Sequence, residues 1–272
     1  MKERLKTLAR EILPPVVARA LRRQDTGLRF VDGYRTWEEA RAASGGYDAP
    51  SILEKVKEAS LRVKRGEAVY ERDAILFDRI EYSWPVVAGL MWAAARAGGK
   101  LRVLDIGGSL GSSYRRHRKF LADLGVSWNV VEQPGFVAVG RESFEDATLS
   151  FFGSVEEALA AGNPSVILFE SSLQYLKDPY ALLEQLARVP HGLLVVDRTP
   201  FSEHETDRLC VQHVPPAIYA ASYPAHVFSR GRFERWIAAR GWSIVESFDA
   251  VPGAATTSSG LAFAFGGYLL AR

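Results

Sequence analysis

The residues whose types and spacing best suit chemistry lie at 104–111, Leu-Asp-Ile-Gly-Gly-Ser-Leu-Gly. An apolar run ends in Asp105, turns through Gly107 and Gly108, passes Ser109 and reaches Gly111, where a helix opens. Glycines permit positive φ and let backbone approach a ligand closely, and a helix N-terminus beyond them offers free N–H groups. A dinucleotide site asks for G-x-G-x-x-G, with a pyrophosphate on the helix end. The spacing Gly107, Gly108, Gly111 departs from that pattern. A carboxylate at the strand end would repel phosphates but attract an ammonium group. Glu132 follows Gly111 by 21 residues, at the end of the next apolar run. A carboxylate there can accept both hydroxyls of a ribose. The pair Asp105 and Glu132 therefore favours a nucleoside with a cationic amino-acid tail, S-adenosylmethionine, over a nicotinamide dinucleotide.

Positioning these groups requires strands that alternate with helices. Short apolar runs at 101–106, 128–132, 149–152, 165–169 and 193–197 read as strands, with helices at 113–124, 155–161 and 179–188 between them. Such alternation predicts βαβ units with right-handed crossovers and a mostly parallel sheet. A helix at 232–240 and two strands at 243–248 and 261–270 complete the pattern. The closing hairpin predicts that the last strand enters antiparallel. The expected fold is a doubly wound, Rossmann-like α/β domain with seven strands. Before it, 51–65 and 73–97 read as helices and 24–50 as loop. Residues 198–230, with four prolines, read as an irregular lid or substrate insertion.

On these residues the chain resembles the class I S-adenosylmethionine-dependent methyltransferases over about 75–272, with 1–74 as a helical N-terminal extension. The 105–111 loop is similar to that superfamily's first motif, with glycine at 108 and Ser109 where a glycine is usual. Residues 170–179, Glu-Ser-Ser-Leu-Gln-Tyr-Leu-Lys-Asp-Pro, are similar to the fourth-strand segment of the small-molecule members. The resemblance implies a cofactor site at Asp105, Gly107, Gly108, Ser109, Gly111, Glu132, Glu170 and Ser171, with the adenine near Gly153 and Ser154. Residues 34–37, 46–48, 212–216 and 222–224 resemble a little-characterised bacterial group of methyltransferase-like proteins that often accompany surface-polysaccharide genes. A small-molecule or glycan acceptor, methylated on oxygen, is what that resemblance implies.

An oxygen acceptor must be aligned in line with the methyl group and must lose its proton. Imidazole suits that task near neutrality, so His213 and His226 are candidate bases, each with packing in a lid as the alternative. Asp197, at the fifth strand end, is a third candidate catalytic group. With Arg198 it forms an acid–base pair that either orients an acceptor or is a structural ion pair. Gln212, Tyr219 and Tyr223 are candidate substrate contacts. The Glu-Ser-Ser-Leu segment lacks the Asn/Asp-Pro-Pro-Tyr arrangement suited to amines of nucleic-acid bases, so no nucleic-acid partner is expected.

The bulk properties agree with a globular domain. The 272 residues are 47% hydrophobic and 24% charged, with a net charge of +2. A single cysteine, Cys210, excludes an intrachain disulfide and thiolate-based metal sites, and the histidine spacing supports no metal. Residues 1–23 hold seven basic and two acidic residues. The plain reading is a solvated helix, the alternative a peripheral contact with an anionic membrane surface. No secretory signal or spanning segment is evident, which points to the cytoplasm. Two other functional classes stay open: a catalytically silent module that keeps the fold and docks to a membrane assembly, and a nicotinamide-dependent oxidoreductase.

Overall fold

The computed structural model describes residues 27–46, 50–215 and 221–272. The basic 1–23 segment, Tyr219 and the 47–48 pair lie outside the described residues. Five parallel strands form the centre: β4 (Lys100–Ile106), β5 (Gly125–Val131), β6 (Leu149–Phe152), β7 (Val166–Glu170) and β8 (Leu193–Ser202). They lie in the order β6-β5-β4-β7-β8. Beyond β8 comes β12 (Ala262–Ala271), antiparallel to it from Leu193 to Phe201, and then β11 (Ser243–Thr256). These seven strands are the doubly wound sheet with an antiparallel last strand that the alternation predicts.

Burial on both faces explains the unbroken apolar runs. Val103, Val166, Leu168, Val195 and Leu269 enter one core layer with Val86 and Leu90 of α3 (Trp84–Arg96), Leu121 of α4 (Ser112–Leu121) and Phe136 of α5 (Pro134–Ser143). Leu104, Ile167, Phe169, Leu194 and Leu270 face the other layer. There they meet Val155 of α6 (Val155–Ala160), Leu183 of α7 (Pro179–Leu186) and Phe233 of α8 (Arg230–Ala239). Among the described residues no helix is long and apolar enough to cross a membrane.

Three expectations are corrected. Residues 198–230 are largely strand, not an irregular lid. After Asp197, β8 runs on past the end of β7, and β10 (Ala221–Ser229) joins it in parallel at Phe228 and Ser229. Antiparallel β9 (Arg208–Val214) pairs with β10, and β1 (Arg29–Tyr34) with β9. The prolines misdirect the reading: Pro224 lies opposite Val211, where the other edge of β10 is not taken by β8 and no donor is needed. Residues 24–50, read as loop, include β1 and the helix α1 (Trp37–Ala42), so the expected helical extension also contributes a strand. The third correction concerns 73–97. Helix α2 (Pro50–Lys64) leads to a small hairpin, β2 (Tyr70–Arg72) and β3 (Ile75–Phe77), turning at Asp73 and Ala74 with positive φ; the helix begins only at Trp84.

β1 is tied to the opposite end of the chain by one side chain. Asp32 accepts hydrogen bonds from Thr257 Oγ1 at 2.7 Å, Ser258 Oγ at 2.9 Å and Ser259 N at 3.0 Å. Burial pushes its carboxyl up, yet these bonds, Ser259 first, hold it at about 2. Asp32→Ala is expected to lower unfolding stability by about 1–2 kcal/mol, read by urea titration at pH 7. The wild-type advantage should vanish in acid. A carboxyl depressed in the folded state stabilises above its unfolded value and loses that contribution as pH falls through its folded value.

Candidate functional site

The three central strands each end in an acid on the same face of the sheet. Asp105, Glu170 and Asp197 continue the inward series of Val103, Leu168 and Val195, and Glu170 pairs directly with Asp197. Their common side is covered by α3 and α4.

The glycine turn closes over the first of these acids. Asp105 has no exposed surface, and its Oδ2 accepts from Trp128 Nε1 at 2.9 Å. Its Oδ1 is buried with no hydrogen-bond partner. Gly108 lies directly above: a Cβ there would sit 2.3 Å from Asp105 Oδ2. Gly107 donates to Val131 O at 2.9 Å and leaves room for Ser172, whose Cβ is 2.6 Å from where a Cβ on residue 107 would stand. Ser109 accepts the left-handed conformation at φ 54°, in place of the expected glycine. Gly111 at φ 86° starts α4. Burial pushes the Asp105 carboxyl up to about 8, and the nearby acids Glu170 and Glu132 add to this. The expectation that Asp105 touches a ligand directly is therefore corrected. It lies beneath the turn, fully buried under Gly108.

Glu132 stands at the next strand end and remains partly exposed. It accepts from Gln133 N at 2.7 Å and from the backbone of Ser109, while burial still pushes it up to about 7. Its own N–H bonds Phe152 O at 3.1 Å, which brings the 152–154 turn beside it. Ser154 is occupied as the N-cap of α6, accepting from Glu157 N, and Glu157 Oε2 accepts from Gly153 N.

Glu170 is placed differently from the cofactor contact expected of it. It is the centre of a buried ion cluster, paired with Arg116 and with Arg198 Nη2 at 3.1 Å, and His117 Nε2 lies 3.7 Å from its second oxygen. Burial opposes its charge, but Arg198 and Arg116 hold the carboxyl well below its ordinary value. Arg116 also donates through Nε to Glu81 O at 2.7 Å. Ser171, at φ 64°, donates its N–H to Asp197 O at 2.9 Å and carries the chain into the one-turn helix Leu173–Tyr175.

Asp197 and Arg198 sit at a β-bulge. Tyr268 pairs with Val196 but Gly266 with Thr199, so β8 carries one extra residue there. Arg198 takes φ 49°, an uncommon conformation for a non-glycine residue. Without the bulge its side chain would enter the opposite layer; with it, the guanidinium returns to Glu170. Asp197 is pushed up by burial, against the opposing effect of Arg198; its Oδ1 accepts from Arg198 N at 2.9 Å.

The structure brings some acceptor candidates together and separates others. Tyr175 Oη donates to Gln212 Oε1 at 3.0 Å and meets Tyr223 edge-on at 5.1 Å, beside the end of β7. His213 does not join them. It lies on β9, two strands further out than β8, at a 460 Å³ depression shared with Arg29 and Ser222. His226 is a packed histidine: it stacks on Trp37 at 5.2 Å and Phe228 at 5.6 Å, its Nε2–H bonds Leu176 O at 3.1 Å, and burial lowers its pKa. Neither histidine is a base for this site. Sequence reading missed Arg116, His117, Tyr70 and Arg72. The first two lie on the buried stripe of α4 with Ser113 and Leu121, a spacing visible in the sequence.

No family model and no curated protein sequence matches the chain. Solved structures are similar to it at low identity. The N-terminal domain of EvdMO1, solved in the presence of S-adenosylhomocysteine and D-fucose, is 18% identical over 83% of this chain and 97% of that one, with a TM-score of 0.48. The 1,6-didemethyltoxoflavin-N1-methyltransferase of Burkholderia thailandensis is 17% identical over 89% and 100%, with a TM-score of 0.39. An S-adenosylmethionine-dependent methyltransferase of Clostridium acetobutylicum ATCC 824 is 9% identical over 79% and 97%, with a TM-score of 0.43.

Two outcomes follow from the turn. Gly108→Ala drives a methyl group into Asp105, so S-adenosylhomocysteine affinity should fall at least about tenfold by calorimetry, with stability reduced by about 1–3 kcal/mol. Asp105 and Glu132, both raised, hold protons in the folded state that the unfolded chain has lost. Stability of the free protein should therefore decline as pH rises from about 4 towards 8. Asp105→Asn should flatten that decline in thermal unfolding scans; an unchanged slope would remove Asp105 as its source.

Proposed function

We propose that the chain is an S-adenosylmethionine-dependent methyltransferase acting on an oxygen of a small molecule or glycan. The observation that carries this reading is the glycine turn closed over a buried, half-satisfied Asp105, with Glu132 beside it. The residues fit the cofactor. Gly108 leaves a cradle that any Cβ would fill, an ammonium above the turn would draw the protonated Asp105 into its charged form, and Glu132 can accept two ribose hydroxyls. A pyrophosphate would offer Asp105 no counter-charge, which disfavours the dinucleotide reading.

When bound, the cofactor supplies an electrophilic methyl group on a sulfonium. The chain's own residues then have three tasks. Glu132 and the 107–109 backbone hold the donor. Tyr175, Gln212 and Tyr223 wall the acceptor side and exclude water. Asp197, its carboxyl pushed up by burial, would take the acceptor's proton. A glycan acceptor is inferred from the resemblance of 34–37, 46–48, 212–216 and 222–224 noted above.

Calorimetry with S-adenosylhomocysteine tests the reading, with a micromolar Kd expected. Glu132→Ala should weaken that binding about 10- to 100-fold, the scale of two lost hydrogen bonds to a charged group. No binding by the wild-type protein at about 1 mM ligand overturns the reading. Binding without transfer of labelled methyl to any sugar acceptor favours a silent module.

A further inference from the structure

The ion cluster contains more guanidinium than its acids engage. Arg198 is 9% exposed, yet its Nε and Nη1 are buried without a hydrogen-bond partner, and only Nη2 reaches Glu170. Buried donors are nearly always paired, so two open donors on opposite edges of the guanidinium ask for an acceptor. Arg116 takes up Glu170 and the carbonyl of Glu81. Arg72 stands on the same face of β2 as Tyr70, whose ring lies 5.8 Å from the Arg116 guanidinium, and its own guanidinium stacks on Phe77 at 5.1 Å; burial, then Arg198, disfavours its charge. The acids facing this group are Glu170, Asp197 and Asp73. Glu170 is shared between two arginines, Asp197 is pushed toward its neutral form by burial, and Asp73 is exposed to water.

Bulge, hairpin and pairing thus direct two arginines at the ends of β7 and β8, beside the Tyr175–Gln212–Tyr223 wall. A bulge that turns an arginine against its natural side is a costly arrangement for a mere ion pair, and backbone strain of this kind collects where ligands are gripped. We propose that Arg198 and Arg72 form a subsite for an anionic oxygen group, a carboxylate or a phosphate, carried by the methyl acceptor. A guanidinium with an open donor on each edge can give such a group a charge-assisted hydrogen bond from either side of the Nη2 held by Glu170. The inference rests on the methyltransferase reading and gives its acceptor a charge: the substrate is an acidic or phosphorylated compound, not a neutral sugar.

The test uses the full chain saturated with S-adenosylhomocysteine and three matched probes: glucuronate, glucose 6-phosphate and glucose. Thermal stabilisation by either acid at millimolar concentration, with none by glucose, is expected. Which acid acts distinguishes carboxylate from phosphate. Arg198→Gln and Arg72→Gln should each weaken the acid response at least tenfold while S-adenosylhomocysteine affinity stays within threefold. Arg198→Lys should restore it only in part, since a point charge replaces a fork. Equal responses to glucose and the acids overturn the proposal. So does a parallel loss of S-adenosylhomocysteine affinity, which would assign the arginines to the carboxylate of the cofactor itself. Should Arg198→Gln fail to fold, Arg72→Gln decides alone, and an intact acid response there sinks the idea. Wild-type protein that binds no S-adenosylhomocysteine marks failure of the underlying reading instead.

Discussion

Three neighbouring parallel strands deliver Asp105, Glu170 and Asp197 to one face of the sheet under the cover of two helices, and the rest of the site follows from how that charge is managed. Removing a carboxylate from water is expensive, and three together repel one another. The structure treats each differently. Glu170 is kept ionised by Arg116 and Arg198. Asp105, with one indole donor, and Asp197 are both pushed toward the protonated form. A site in which adjacent acids are driven apart in proton affinity is suited to binding a cation at one place and moving a proton at another.

The glycine turn is rigid because several backbone groups are paired. Gly107 N–H bonds to Val131 O, Gly111 N–H to Gly108 O, and Glu132 N–H to Phe152 O. The turn is thereby stitched to β5, and β5 to the turn before α6. Gly108 is the point where this framework tolerates nothing larger, since the carboxyl of Asp105 occupies the space a side chain would need. Ser109 shows that a left-handed position here does not demand glycine; what demands glycine is the close approach one residue earlier.

The acceptor side is assembled from distant parts of the chain. Strand β8 outruns β7 and recruits β10, β9 and β1 to its far end, and the hairpin between α2 and α3 carries Tyr70 and Arg72 to the same cluster. Asp32 fastens this added sheet to the turn between β11 and β12. Tyr175 and Gln212 join the one-turn helix after β7 to β9. The wall is thus braced on three sides, and the bulge at Arg198 lies where the two parts of the sheet meet.

Sequence alone determined the seven-strand alternation, the antiparallel close and the glycine turn with its two acids. These are local signals: apolar runs of strand length, glycines at a strand end, an acid at the close of four of the five runs. The stripe Ser113, Arg116, His117, Leu121 was legible in the same way, as polar groups at helical spacing that must face inward. Tertiary structure decided what local pattern could not. Whether Asp105 faces a ligand or lies beneath a turn depends on Trp128, 23 residues away. Whether His226 is a base or a packed ring depends on Trp37 from the other end of the chain. The side on which Arg198 emerges depends on a one-residue mismatch with β12, because the period of a strand is two and a single extra residue reverses every direction after it.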